Sequence, residues 1–180
     1  TISNLKAWYP CTEGNPRSPQ TTVYDGSPKE LGSEIITGFT NGSAYDFNVT
    51  FTTSGQDISS AVADGTDWAG CASNSFSGVA GEVYKCTFNL TYNSGDEAVR
   101  VVFSNGANGA GTQISNIIYT DTNGVNTIYF KVTTTDSTSY LQFGNYGGSG
   151  QALNFSATDI SLKEVKMGNH GTTTFYGDEL

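Results

Sequence analysis

Residues 126–146 read NTIYFKVTTTDSTSYLQFGNY, and apolar residues fall at every second position on either side of a threonine-rich break. Ile128, Phe130 and Val132 share one face of an extended chain, with Tyr129 and Lys131 on the other. After the break, Leu141 and Phe143 share one face, with Tyr140 and Gln142 opposite. Period-two alternation of this kind is the mark of strands buried on one side. The apolar side explains itself. The other side carries two tyrosines, an amide and a lysine, where serine and threonine would be enough for solubility.

The same pattern extends outward. EVYKCTFNLTY places Tyr84, Cys86, Phe88, Leu90 and Tyr92 on one side and Lys85, Thr87, Asn89 and Thr91 on the other. AVRVVFS turns Val99, Val101 and Phe103 inward and Arg100 outward. YDFNVTFTT alternates Phe47, Val49 and Phe51, while DWAGCASNSF and SNIIYTD read as weaker strands. In ALNFSATDISLKEVK the set Leu153, Phe155, Ala157 is followed out of phase by Ile160, Leu162, Val165, which predicts a bulge. Turn signals such as Ser54-Gly55, Asn105-Gly106 and Asn123-Gly124 separate these segments. No segment shows a helical period. Roughly eight or nine short strands with one apolar face each predict an all-β chain: a two-sheet antiparallel β-sandwich, a jelly roll.

The ends differ. Residues 1–36 hold all four prolines and read as an extended arm or linker, with short strands at LKAWYP and TTVYD. The sandwich is expected over 37–167, and 168–180 as a C-terminal tail or linker. The opening TISNLKAWYP lacks a charged segment followed by an apolar run, and its first residue is Thr, so the chain reads as a processed product or a segment of something longer.

Composition excludes several partners. The net charge is −9, and the 8 Lys and Arg are scattered along the sequence. A phosphate backbone calls for a basic cluster, so nucleic acid is not an expected partner. Anionic membrane surfaces are disfavoured for the same reason, and no apolar run approaches the roughly 18 residues of a membrane span. Cys11, Cys71 and Cys86 match no zinc spacing. Buried free thiols are one reading of them, and a Cys71–Cys86 bridge between neighbouring strands is another. The sequons at Asn41, Asn48, Asn89 and Asn154 arise readily in a chain this rich in Asn, Ser and Thr.

Catalysis finds little support. The one histidine, His170, lies in the glycine-flanked tail, and the acidic residues sit mostly in turns. Asp159 is the exception, standing at the phase slip of the last strand. It either satisfies a bend or ligates Ca²⁺ together with a carboxylate such as Glu34. The outward aromatics suit a sugar. Flat rings take its apolar C–H faces, and amides, guanidinium groups and carboxylates take its hydroxyls. The candidates are Trp68, Arg100, Tyr129, Tyr140, Gln142 and Tyr146, with Asp67 beside Trp68. If the strands carrying Arg100, Tyr129 and Tyr140 are neighbours, these side chains line one sheet face. Alternatively that face packs on the arm or on another subunit, or the tyrosines stabilise cross-strand pairs.

GEVYKCTFNLTYNSG (81–95), TTTDSTSYLQFGN (133–145) and FSATDISLKEV (155–165) carry a resemblance. Residues of about 39–166 resemble the carbohydrate-binding-module-like sandwiches of bacteriophage virion proteins and glycoside hydrolases. In several such families the Asp of the closing strand helps to bind a structural Ca²⁺, which here implies Asp159. The flanks, LKAWYPCTEGN, VYDGSPKELG and GNHGTTTF, are similar to parts of laminin-G/concanavalin-like repeats of long phage structural proteins. The resemblance implies a non-catalytic glycan-binding module of a multi-copy virion surface or tail-associated protein, on a virion or extracellular. Its partners would be a polysaccharide or cell-surface glycan, and copies of itself or other virion proteins. The alternative is a structural virion or filament subunit that assembles by strand addition through its arms, without a sugar ligand.

Overall fold

The computed structural model describes residues 22–23, 30–43, 45–107, 111–145, 151–166 and 171–172. Every regular element among them is a strand. These are β1 (Thr22–Val23), β2 (Glu30–Glu34), β3 (Phe39–Asn41), β4 (Thr50–Ser54), β5 (Asp57–Asp64), β6 (Gly70–Ser73) and β7 (Phe76–Gly78). They continue with β8 (Val83–Gly95), β9 (Val99–Ser104), β10 (Ile118–Thr120), β11 (Gly124–Lys131), β12 (Asp136–Gly144), β13 (Ala152–Lys166) and β14 (Gly171–Thr172). The chain divides into two units. In one, β1 and β14 pair antiparallel, Thr22 opposite Thr172. The other, Gly32–Val165, is the sandwich. The expected strand at LKAWYP lies outside the described residues.

The sandwich has two antiparallel sheets of jelly-roll type. One runs β10-β9-β12-β6-β3 with β7 beside β12; the other runs β11-β8-β13-β5-β4 with β2 beside β13. Their inward faces carry the apolar sets that alternation foretold: Tyr84, Cys86, Phe88 and Leu90 from β8, Val99, Val101 and Phe103 from β9, Leu141 and Phe143 from β12. Phe143 ties the layers together. Its ring centroid lies 5.6 Å from Phe39 in its own sheet, and 5.2 Å from Phe88 and 6.4 Å from Phe155 in the other. Phe103 of β9 meets Phe130 of β11 at 4.5 Å across the same interior.

Three details depart from, or decide between, the expectations. First, YDFNVTFTT is not one strand. Only Thr50–Ser54 is extended. Phe47 is buried while Val49 is exposed. Asn41 pins Phe47 through both its backbone groups, and Asn48 bonds Asp64 and Thr66, so the carboxamides of these two sequons are already engaged. Second, DISSAVAD forms β5, a full strand whose inward side is Ile58, Ala61 and Ala63. Third, Cys71 and Cys86 are free and buried, on β6 and β8 in opposite sheets rather than on neighbouring strands. Burial pushes both thiols well above the usual cysteine range.

The edge strand β11 is closed along part of its length by a side chain. Asn116 donates through Nδ2 to the Tyr129 carbonyl at 3.2 Å, and its Oδ1 accepts from the Lys131 amide at 2.8 Å.

The bulge sits where the phase slip put it. The register of β13 against β8 shifts between Thr158 and Ser161. Asp159 takes φ 53°, and among the described residues it alone outside glycine has positive φ. Its amide donates to Asp57 Oδ1 at 2.8 Å. Glu34 is committed too: Oε1 accepts from the Leu162 amide and Oε2 from the Ser161 hydroxyl, both at 2.6 Å. Calcium takes about six to eight oxygens. Among the described residues no group of three or more acidic, histidine or cysteine side chains converges. The Asp159 amide and the Glu34 carboxylate are thus engaged within the bulge itself.

Phe143→Ala should cost about 3–5 kcal/mol in urea unfolding. Asp159→Val should cost about 1–3 kcal/mol through its left-handed backbone, with Asp159→Gly close to neutral. EDTA should leave the melting temperature unchanged; a fall reversed by Ca²⁺ would make Asp159 and Glu34 ligands after all.

Candidate functional site

The outward face of the sheet containing β12 is unusual in being partly buried. Val102, Gln142 and Ala72 stand opposite one another across β9, β12 and β6. They point away from the core, yet Val102 and Ala72 are fully buried and Gln142 is 2% exposed. Loops fold over them. The Gln142 Nε2 donates to the carbonyl of Gly106, in the loop that follows β9. On the other side the chain after β3 and the chain before β6 close in. Gly42 donates to the Gly70 carbonyl at 2.9 Å, and Gly70 to the Tyr45 carbonyl at 3.2 Å. Glycine is required at 42, because a Cβ there would collide with the Tyr45 carbonyl.

Asn145, 4% exposed, locks the second loop to the end of β12. Its Oδ1 accepts from the Ala69 amide and its own amide donates to the Ala69 carbonyl, each at 2.9 Å. Its Nδ2 donates to the Gln151 carbonyl at 3.1 Å. The loop so fixed presents Trp68, 37% exposed, with its ring centroid 5.5 Å from that of Tyr45 and tilted 44° to it. Asp67 accepts from the Trp68 amide at 2.7 Å and holds the start of this turn.

The result is a depression lined by Tyr45, Trp68, Arg100, Gln142 and Asn145 together with backbone of Gly70 and Gly144. About 10 Å³ of it is open to the centre of a water-sized sphere, room for about one water. The Gln142 Oε1 is buried and has no hydrogen-bond partner among the described residues. A buried amide oxygen left without a donor costs roughly 1–3 kcal/mol. Tyr119, 46% exposed, stands on the edge strand β10 directly opposite Arg100. The described lining residues of the depression include no carboxylate, histidine or thiol, the groups that acid–base and nucleophilic catalysis use.

The sequence candidates therefore separate. Trp68, Arg100 and Gln142 come together in the depression. Tyr140 shares the outward face of β12 and stands opposite Ser104, half-buried, outside the lining. Tyr129 does not join them: β11 pairs with β8 in the other sheet, so its outward face is the opposite side of the sandwich. The chain between β11 and β12 crosses between layers, where a hairpin would have kept both strands in one. Asp159 and Glu34 also belong to the other sheet and its bulge. Tyr146 lies outside the described residues. Tyr45, Asn145 and Tyr119 were not singled out in the sequence. Tyr45 and Asn145 flank strands instead of lying within them, and carry no alternation signal.

No family model matches the chain, and no curated protein matches it. Among solved structures, one described as "CBM4 structure and function" is similar over 58% of this chain and 82% of that chain, at 18% identity and a TM-score of 0.46. At that distance the reading of the depression rests on its own residues.

Proposed function

We propose that the chain is a non-catalytic module that binds a polysaccharide or cell-surface glycan in the depression on β6, β9 and β12. The observation that carries this reading is the Gln142 Oε1, a buried acceptor lining the depression with no hydrogen-bond partner among the described residues. A ligand hydroxyl, through one bridging water, supplies the missing hydrogen. Trp68 and Tyr45 offer ring faces to the C–H side of a sugar, and Arg100 adds donors for its oxygens. The lining suits recognition, since it brings donors, acceptors and aromatic faces together without a catalytic pair among the described residues.

The sequence resemblance extends the proposal to a multi-copy virion surface or tail-associated protein. A shallow depression with few polar contacts binds weakly one site at a time, and repetition along a particle raises the avidity.

A glycan array or affinity gel with the purified chain tests this. Trp68→Ala should weaken binding about tenfold or more, equivalent to about 1.4 kcal/mol. Gln142→Leu should weaken it about two- to tenfold while leaving the melting temperature close to that of the parent, because it removes a buried acceptor along with a donor. Absence of binding to any glycan, with a chain that elutes as an oligomer or filament, would favour a structural subunit instead.

A further inference from the structure

Three lysines are gathered on the outward face of the other sheet, in a chain of net charge −9. Tyr129 of β11 stands opposite Lys85 of β8, and Lys85 stands opposite Lys163 of β13, so the three form one row across three strands. Lys131 is on the same face of β11, two residues from Tyr129 and opposite Val83. Three of the 8 basic residues of a chain with net charge −9 are thus gathered here. Tyr129 is 54% exposed and Lys131 is exposed. The next row, Thr127, Thr87 and Ser161, consists of short side chains.

Three carboxylates lie near the row, and none of them is paired with its lysines among the described residues. Glu82 accepts from the Tyr84 hydroxyl at 2.7 Å. Glu164 stands opposite Tyr84, whose side of β8 faces the core. Glu34 is bonded to Ser161 and Leu162. Among the described residues none of the three lysines forms an ion pair. Like charges directly opposite on neighbouring strands are destabilising, so folding alone gives no reason to set Lys85 against Lys163.

We propose that this row is a second binding surface, whose ligand is an anionic polysaccharide with carboxylate or sulfate groups on its rings. Tyr129 takes the apolar face of one ring, and Lys85, Lys163 and Lys131 take the acidic groups around it. The site is independent of the depression on the other sheet and does not rest on the function proposed for it. Duplex nucleic acid fits poorly. It carries about one negative charge per 1.7 Å and would meet the acidic remainder of the chain, whereas a polymer with one acid per sugar ring matches three lysines spaced around one tyrosine.

Affinity electrophoresis of the full chain in gels containing polygalacturonate, neutral dextran or duplex DNA, at low and high salt, tests the proposal. Polygalacturonate should retard the chain at low salt and lose its effect at high salt, with dextran and DNA weaker. The double variant Lys85→Gln/Lys163→Gln should bind polygalacturonate about tenfold more weakly and melt no lower than the parent, since a repulsion is removed. Tyr129→Ala should weaken binding too, and Trp68→Ala should leave it intact. No retardation, equal retardation by dextran, tighter binding of DNA, or loss of binding in Trp68→Ala would each overturn the proposal. So would a double variant that binds as well as the parent, or one that loses binding only because it melts lower.

Discussion

Phe143 packs the two layers of this sandwich together, and the depression inherits its geometry from that contact. The ring meets Phe88 and Phe155 across the interior and Phe39 beside it. Successive residues of a strand point to opposite faces. Once Phe143 is seated inward, Gln142 must face outward, between Val102 and Ala72. A slip of one residue in β12 would place an amide in the aromatic core and a phenylalanine in the depression. The cost of that exchange is large against the roughly 5–15 kcal/mol of a whole domain. Core and site are therefore two sides of one constraint.

Much of this was legible in the sequence because alternation is a local property. β8, β9, β12 and β13 announce both their existence and their inward faces through residues two apart, and even the bulge of β13 shows as a break of phase between Ala157 and Ile160. What alternation cannot convey is which strand lies beside which. β12 is hydrogen-bonded to β9 and β6, far away in the chain, while its sequence neighbour β11 lies in the other layer. Tyr129 and Tyr140 looked like companions for that reason. β5 escaped notice because Ala61 and Ala63 contrast weakly with the serines between them, although both are buried. Tyr45 was read as part of a strand, since Phe47, Val49 and Phe51 continue a period of two that hydrogen bonds from Asn41 and Asn48 interrupt. The depression is made largely by loops brought together over a sheet, and loop closure leaves no periodic trace.

The two outward faces differ in physical character. One is recessed, aromatic at its rim and built around a neutral amide, with a single cation, Arg100, in its lining. The other is flat, studded with threonine and serine, and organised around ammonium groups whose influence extends about 10 Å at moderate ionic strength. A sandwich offers this division naturally, because its two sheets share a core and have separate exteriors. Changes on one exterior leave the register of the other untouched as long as the aromatic interior is preserved.

The Asn116 carboxamide has a consequence for how copies of the chain behave toward one another. By offering one donor to the Tyr129 carbonyl and one acceptor to the Lys131 amide, it imitates a short piece of neighbouring strand along β11. An open strand edge is a template for another chain. With part of that edge already occupied from within, a second copy finds fewer places to begin pairing there. Asn116 thereby withholds part of the β11 edge from such pairing without occupying either outward face.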